Sequence, residues 1–356
     1  MKKLMFLAML SMFLFACSDN DNPAPSSENA ETGVTFEISA VNELKDGGTS
    51  RGSIYSQEAT QHVTRVVVYA FLNNGSDYVY SKSFTISGWS DGTTFMRYSI
   101  GNSEKLSAGD YKFLAIGRDQ TDLFNISSPE TAHNFDNMMA TIAQSGDESE
   151  IFAGWSQANV SNNGGTRVSI SMTRKVAGVL GYFKNIPQNI NGTDVKYLRL
   201  SVSDANKEVN ITNGAAITSN VTPYNIINID LSGQTITGGV YAGNDLSGHG
   251  VVKLPNSQLS GSFFMPVSNV TMTLGLYDAG NNPLKTWVVK DTDGNSSFNI
   301  LANHFYALGT KTQAGNTNGG TPEMGDDDSP IDLLTDQAIV ISINPAWEVI
   351  HNMVIQ

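Results

Sequence analysis

Apolar and polar residues alternate along most of the chain, and this pattern predicts β-strands. Val34, Phe36 and Ile38 are apolar and the residues between them are polar, which predicts a half-buried strand. Residues 65–71 are rich in β-branched side chains, and a turn sequence separates them from 78–86, so a hairpin is predicted. Further strand patterns separated by turn residues are found at 151–155, 167–172, 174–183, 195–202, 226–231, 261–266, 271–277, 285–289, 298–308, 339–343 and 346–355.

One segment has a helical period instead. Ser128 is a suitable N-cap and Pro129 suits the first helical position. An apolar stripe at helical spacing follows, formed by Phe135, Met138, Met139 and Ile142. We therefore predict one short helix here, closed by a solvated acidic loop at 146–150.

The strand pattern restarts after residue 173, which divides the chain into two predicted β-sandwich domains, 33–173 and 174–356. Within the first, Gly109 is predicted to take a tight corner with Tyr111 packed beneath it. This L-x-x-G-x-Y pattern resembles one in transthyretin-like sandwiches. Residues 313–329 have no apolar pattern and are predicted to be a disordered loop.

The composition suits an extracellular all-β protein. Only 15% of the residues are charged, and the net charge is −13, which becomes −15 without Lys2 and Lys3. Nucleic acids and anionic lipids attract clustered basic residues, so a chain this acidic is not expected to bind them.

The N-terminal residues have the pattern of a secretory signal. Lys2 and Lys3 precede a mostly apolar stretch at 4–15, which is too short to span a bilayer as a helix. Leu14-Phe15-Ala16-Cys17 resembles a bacterial lipobox, which implies removal of residues 1–16 and acylation of Cys17. Cys17 is the only cysteine, so an intramolecular disulfide and a cysteine zinc cluster are excluded. The alternatives are an ordinary buried cysteine and a plain secreted protein.

The residues after Cys17 are acidic and then featureless. Ser18, Asp19 and Asp21 resemble the surface-export signal of Bacteroidales lipoproteins, which implies an outer-membrane location on the extracellular face. The alternative is the start of a solvated linker. Residues 17–32 as a whole are predicted to be a flexible tether.

No catalytic or metal-binding pattern is found. The five histidines have no metal-ligand spacing, and the Asp291-Thr-Asp-Gly-Asn295 segment lacks the ligand spacing of a calcium loop and is predicted to be a hairpin turn. We therefore expect neither an enzyme nor a bound cofactor or metal. A carbohydrate platform built from the four tryptophans is an alternative, with Trp89 in a turn-rich segment as the best candidate and core packing as the competing interpretation.

Several segments together resemble the Bacteroidales fimbrillin-type (type V) pilins and their anchor or accessory lipoproteins. They are the lipobox, "VTRVVVYAFLNNG" at 63–75, "LSAGDYKFLAIGRD" at 106–119, "ISMTRKVAGVLGYFKNIP" at 170–187, "HFYALGTK" at 304–311 and "VISINPAWEVIHNMVIQ" at 340–356. The resemblance implies two transthyretin-like sandwiches, a lipid anchor in the outer membrane, and assembly with other fimbrial subunits by strand exchange. Stalk subunits of this family lose their first strand to an arginine-directed protease, whereas anchors keep it with the lipid.

Two segments are candidates for this assembly chemistry. Arg51 lies in a Gly-flanked polar segment between the first two predicted strands, and it is either a cleavage site or an ordinary surface arginine. The C-terminal tail alternates, so it can complete a neighbour's sheet or fold back as this chain's own last strand. The candidate donor residues are Trp347, Val349, Met353 and Ile355.

The sequence thus predicts a fimbrial anchor, accessory or structural lipoprotein that acts in cell adhesion. Beyond the other subunits and the membrane, its expected partner is a host or bacterial surface protein or glycan. The alternative is a glycan-binding surface lipoprotein.

Overall fold

The computed structural model describes residues 33–40, 62–132, 134–143, 147–219, 221–243, 255–311, 329–336, 338–345 and 347. In these ranges the chain is almost entirely β-structure, as predicted. The N-terminal part contains the strands β1 (Val34–Ser39), β2 (Arg65–Asn73), β3 (Tyr78–Thr85), β4 (Phe95–Ser99), β5 (Gly109–Arg118), β6 (Asn125–Ile126), β7 (Met139–Thr141), β8 (Ile151–Val160), β9 (Thr166–Ser171) and β10 (Thr173–Arg174).

Two sheets enclose the core of the N-terminal part. Strands β4, β1 and β9 form a three-stranded sheet in that order, and β10, β8, β5, β2 and β3 form a five-stranded one. The predicted hairpin of β2 and β3 is confirmed. Tyr111 is buried as predicted and its hydroxyl donates to the Ser107 carbonyl oxygen at 3.2 Å, while Gly109 begins β5 rather than forming a separate corner. Side chains from both sheets, among them Phe36, Phe84 and Phe113, pack into one cluster.

The C-terminal part is built in a similar way. Its strands are β11 (Ala177–Lys184), β12 (Asn189–Ile190), β13 (Thr193–Asp194), β14 (Tyr197–Ala205), β15 (Glu208–Asn210), β16 (Thr222–Asp230), β17 (Ile236–Thr237), β18 (Val240–Tyr241), β19 (Ser257–Phe264), β20 (Val267–Val270), β21 (Met272–Tyr277), β22 (Pro283–Lys290), β23 (Phe298–Ile300), β24 (Phe305–Leu308), β25 (Ile331–Asp332), β26 (Ile339–Val340) and β27 (Ser342–Asn344). A sheet ordered β19-β11-β24-β27 shares its core with one ordered β16-β14-β21-β22-β26.

A third apolar cluster joins the two parts. It combines residues of the N-terminal part, such as Leu114 and Met138, with residues of the C-terminal part, such as Leu180, Phe305 and Trp347. Strand β7 also pairs with β15, so one small sheet contains strands from both parts. The division near residue 173 stays a prediction.

The predicted helix is correct only at its start. Helix α1 (Pro129–Ala132) is one turn, a 3₁₀ turn follows at Phe135–Asn137, and the next residues form β7. Phe135, Met138 and Ile142 are buried as the apolar stripe required, but a strand pairing with β15 replaces the later helical turns. A second 3₁₀ turn lies at Asn102–Glu104, and the strand expected over 298–308 is divided into β23 and β24.

Candidate functional site

Strand β1 is the central strand of its sheet. It pairs antiparallel with β4, in register from Thr35 opposite Ser99, and parallel with β9, from Val34 opposite Thr166 to Ser39 opposite Ser171. Its apolar side chains point into the core and are fully buried. Because β4 and β9 contact each other in the sheet only through β1, removal of β1 would open a groove between them.

Glu37 connects β1 to both neighbouring strands on the outer face of the sheet. Its carboxylate accepts hydrogen bonds from Arg97 on β4 (2.8 Å from Nη2) and from the Ser169 hydroxyl on β9 (3.2 Å), and Arg167 Nε lies 3.5 Å away. Partial burial opposes ionisation of Glu37, but the hydrogen bonds and the two guanidinium charges outweigh it and lower the pKa of the carboxyl. The ionised side chain therefore stabilises the position of β1.

We expect Glu37→Gln to lower the free energy of unfolding at neutral pH and to have less effect as the pH falls. The pKa of Glu37 is lower in the folded state, so its contribution is present above the unfolded-state pKa of about 4.3 and is lost as the pH falls through the folded-state pKa. Urea unfolding of both proteins at pH 7 and at pH 3 measures this. A difference of equal size at both pH values would contradict it.

Both glutamates of the segment predicted to be a solvated acidic loop are buried. Glu148 and Glu150 are only 6% and 4% exposed, while Asp147 beside them is exposed. The prediction was wrong because basic partners far along the chain cover both carboxylates. Burying a carboxylate without such partners costs several kcal/mol, so these pairs fix the segment in place.

Glu150 and Arg174 form a buried ion pair where the two parts meet. Arg174 Nε donates to Glu150 Oε1 at 2.6 Å, and the backbone N–H of His62 donates to Glu150 Oε2 at 3.0 Å. His62 is the first described residue after the 41–61 segment that connects β1 to β2. One carboxylate therefore joins the end of this connection to the strand that enters the C-terminal part.

Trp347 occupies a pocket beside this ion pair. Its indole is 1% exposed, the Arg174 guanidinium lies 4.1 Å from the indole centroid, and the Phe305 and Phe263 rings are 4.9 and 5.8 Å away. Gly178 permits the fit, since a Cβ there would lie 2.4 Å from the nearest indole carbon. The root of the predicted donor segment is thus in this chain's own core.

A second buried ion pair, between Glu148 and Lys207, joins the two parts. Glu148 accepts hydrogen bonds from Lys207 Nζ at 2.7 Å and from the Tyr224 hydroxyl at 3.0 Å. Burial raises the pKa of Glu148 despite the charge of Lys207. Burial also raises the pKa of the Tyr224 hydroxyl well above its usual value. Glu148 thus ties the 147–150 segment to the C-terminal part, while Glu150 ties it to β10.

The tryptophans are arranged differently from the prediction. Trp89, the best candidate for a carbohydrate platform, is 6% exposed and packs in the core, and Trp287 is also buried. Trp155 on β8 is 45% exposed and lies edge-on to Phe135, with ring centroids 5.3 Å apart. Lys112 lies 5.1 Å from the Trp155 ring centroid. The aromatic surface is therefore on the outer face of the five-stranded sheet.

The remaining polar candidates have structural roles. Asp291 begins a turn, but the predicted hairpin is wrong, because β22 before the turn pairs with β21 and β26 and β23 after it pairs with β20. Hydrogen bonds from the Asn295 side chain and from backbone N–H groups lower the pKa of the Asp291 carboxyl. His304 stacks on Tyr306 and bonds to the carbonyl oxygen of Ala302, and His62 lies 3.4 Å from Asp91. Among the described residues, no group of three or more His, Cys, Asp or Glu side chains is placed to hold a metal ion.

Most predicted site residues lie outside the described ranges. They are Cys17, Ser18, Asp19, Asp21, Arg51, Val349, Met353 and Ile355. The segment predicted to be a tether, 17–32, and residues 313–328 of the predicted loop also lie outside the described ranges. In the part of the chain with described coordinates, no helix is long and apolar enough to cross a membrane.

Comparison with known proteins gives one strong match. A family model described as "Fimbrillin-A associated anchor proteins Mfa1 and Mfa2" matches residues 26–353, which is most of the chain. No curated protein matches.

Solved structures show more distant similarity. A candidate adhesin from Bacteroides ovatus has a TM-score of 0.44 and 14% identity, over 78% of this chain and 90% of the other. The fimbrial anchor protein Mfa2 from Porphyromonas gingivalis has a TM-score of 0.43 and 13% identity, over 88% of this chain and 97% of the other. A candidate polysaccharide-binding protein from Bacteroides thetaiotaomicron has a TM-score of 0.44 and 12% identity, over 80% of this chain and 93% of the other. Assignment of the chain rests on the family match.

Proposed function

Since the chain belongs to the family of fimbrillin-A associated anchor proteins, we propose that it is a lipid-anchored outer-membrane subunit that holds a fimbrium on the cell surface. The observation that supports this most directly is the central position of β1 between β4 and β9. A subunit that keeps β1 has a closed sheet and can end a polymer. A subunit that loses it has an open groove that requires a neighbour's strand.

The membrane attachment in this proposal is a lipid on Cys17. Each buried acyl methylene contributes about 0.8 kcal/mol, so several chains hold a protein at the membrane almost permanently. Ser18, Asp19 and Asp21 direct the lipidated protein to the extracellular face. The tether that follows lets the folded part stand away from the surface.

Chain order links attachment to maturation. Cys17 precedes β1, and Arg51 lies in the connection from β1 to β2. A single cut after Arg51 would therefore separate both the lipid and β1 from the remaining chain. We propose that this subunit stays uncut, in agreement with an anchor role.

Strand exchange in this proposal uses the C-terminal segment. Val349, Met353 and Ile355 form the apolar side of the donated strand, whose main chain pairs with the open sheet edges of the next subunit. Trp347 roots the segment, because its indole is held beside Arg174. The alternative in which this segment folds back onto its own chain is distinguished by cross-linking residue 353 in assembled fimbriae.

Mass spectrometry of this subunit from purified fimbriae tests the anchor proposal. We expect an N-terminus at Cys17 carrying acyl chains, because an anchor keeps its lipid and β1 together. A native N-terminus at Gly52 would contradict the anchor role and identify a processed subunit.

Two variants serve as controls for this measurement. Cys17→Ala should release the protein from the outer membrane and abolish labelling by fatty acid, whereas Arg51→Ala should leave fimbriae and membrane attachment unchanged. Continued membrane attachment and labelling of Cys17→Ala would contradict the lipid anchor.

The exposed Trp155 supports a second candidate function, glycan binding. Its ring offers an apolar face for a sugar, and Lys112 and Gln157 provide polar groups on the neighbouring rows of the sheet. If the protein binds a glycan on an array, we expect Trp155→Ala to weaken that binding by about tenfold or more. Leu123→Ala, a change at another exposed apolar side chain, is the matched control, and equal binding by both variants would exclude Trp155 as the site.

A further inference from the structure

A hydrogen bond closes each end of the parallel β1–β9 ladder. At the end where β1 begins, the Thr166 N–H donates to the Gly33 carbonyl oxygen at 2.8 Å. At the end where β9 finishes, the Met172 N–H donates to the Ser39 carbonyl oxygen at 2.9 Å. The chain enters the sheet at Gly33 from the N-terminal side. It leaves β9 at Met172 toward β10 and the C-terminal part.

We infer that β1 is a shear clamp that bears tension between the N-terminal tether and the rest of the molecule. The inference rests on the proposed function, in which the lipid and the fimbrium pull on opposite ends of the chain. A pull on Gly33 draws β1 backward along its own axis, and the opposing pull reaches β9 through Met172 at the other end. Because the two strands are parallel, these forces slide one strand along the other and load the whole ladder at once.

Side-chain packing prevents this sliding. The Phe36 ring lies between those of Phe84 and Phe113, at centroid distances of 5.5 and 5.3 Å. A slip of one residue would turn the apolar side of β1 outward and bring Thr35 and Glu37 into the core. Before it could slip, β1 would therefore have to unpack its apolar side chains and break the outer-face bonds of Glu37 together.

The path by which tension leaves β9 toward the C-terminal segment is short. Arg174 lies three residues beyond the end of β9, and its guanidinium stacks on Trp347, the residue from which the C-terminal segment continues. Tension between the tether and a donated C-terminal strand therefore passes from β1 to β9 and Arg174, and it reaches the C-terminal segment through the Arg174–Trp347 contact and through the pairing of β27 with β24.

Pulling the same strand in two directions tests the inference. The chain from residue 17 is prepared without lipid and held in optical tweezers through Cys17 and a second thiol. With Gln356→Cys, the pull slides β1 along β9. With Ser103→Cys, it opens the β1–β4 ladder from one end, because the Ile100 N–H bonds to the Val34 carbonyl oxygen at the N-terminal end of β1.

At equal constant force we expect β1 to stay in place at least about tenfold longer in the sliding geometry than in the opening geometry. In the sliding geometry the hydrogen bonds of the ladder must break together, whereas in the opening geometry they break one after another. Equal lifetimes, or a longer lifetime in the opening geometry, would overturn the inference. Glu37→Gln should shorten the sliding lifetime more than Glu104→Gln, whose side chain lies outside the ladder, and equal effects of the two would also contradict it.

The tweezers experiment and the mass spectrometry of the lipid anchor can contradict their proposals independently of each other. The tweezers measure the non-lipidated chain, so a strong clamp can coexist with a protein that carries no lipid. A lipidated Cys17 in fimbriae, in turn, leaves open which strands carry the load.

Discussion

Replacing Glu150 with alanine is expected to lower the free energy of unfolding by about 3–5 kcal/mol, because the variant leaves the Arg174 guanidinium buried without its carboxylate. The same change removes the acceptor of the His62 N–H, so the end of the β1–β2 connection loses a fixed point. Chemical denaturation monitored by circular dichroism measures the loss.

Two control variants distinguish the loss of the buried ion pair from the loss of a negative charge alone. Asp147→Ala removes an exposed carboxylate of the same segment and should change stability by less than about 0.5 kcal/mol. Adding Arg174→Met to Glu150→Ala should recover part of the loss, since both buried charges are then gone. A single Glu150→Ala variant as stable as Asp147→Ala would show that the ion pair does not stabilise the fold.

Replacing Trp347 with alanine is expected to cost about 3–5 kcal/mol, as for other fully buried large aromatic side chains. The indole contacts Phe263, Phe305 and Arg174, and the vacated space is bordered by backbone at Gly178 that cannot collapse into it. Thermal and urea unfolding measure the loss. In fimbriae, the variant should also weaken attachment of the C-terminal segment at its root.

Gly178→Ala tests the same pocket from the other side. A Cβ at residue 178 would overlap the indole and push it out, so we expect a red-shifted tryptophan emission and a loss of about 1–3 kcal/mol. Gly164→Ala, where no atom lies within 4 Å of the added Cβ, should change neither. The double variant with Trp347→Ala should lose less than the sum of the single changes. Strict additivity would mean that Trp347 is not held in this pocket.

Local pattern alone was enough for the strands. Residues 34–38 alternate because one side of β1 packs on the core and the other carries Glu37, and the period of a strand makes such alternation visible in sequence. The hairpin of β2 and β3 was predictable because its turn residues and apolar runs are adjacent in the chain.

Partners far along the chain changed the local preference elsewhere. The stripe from Phe135 to Ile142 has helical spacing, but β15 offers β7 main-chain partners that a helix would not use. Trp89 lies in turn-forming sequence and yet is buried, since burial depends on what packs over a turn. Propensity is a weak preference that such tertiary contacts override.

The sequence by itself determined the all-β fold, most strand positions and the family, because these follow from periodic patterns and contiguous motifs. Only the tertiary structure decided that β1 is the central strand of its sheet and that Glu148 and Glu150 are buried. Glu150 is 24 residues from Arg174, and Glu148 is 59 residues from Lys207. A carboxylate in an acidic turn sequence is most stable in water unless a distant cation reaches it, and local sequence contains no information about that distance.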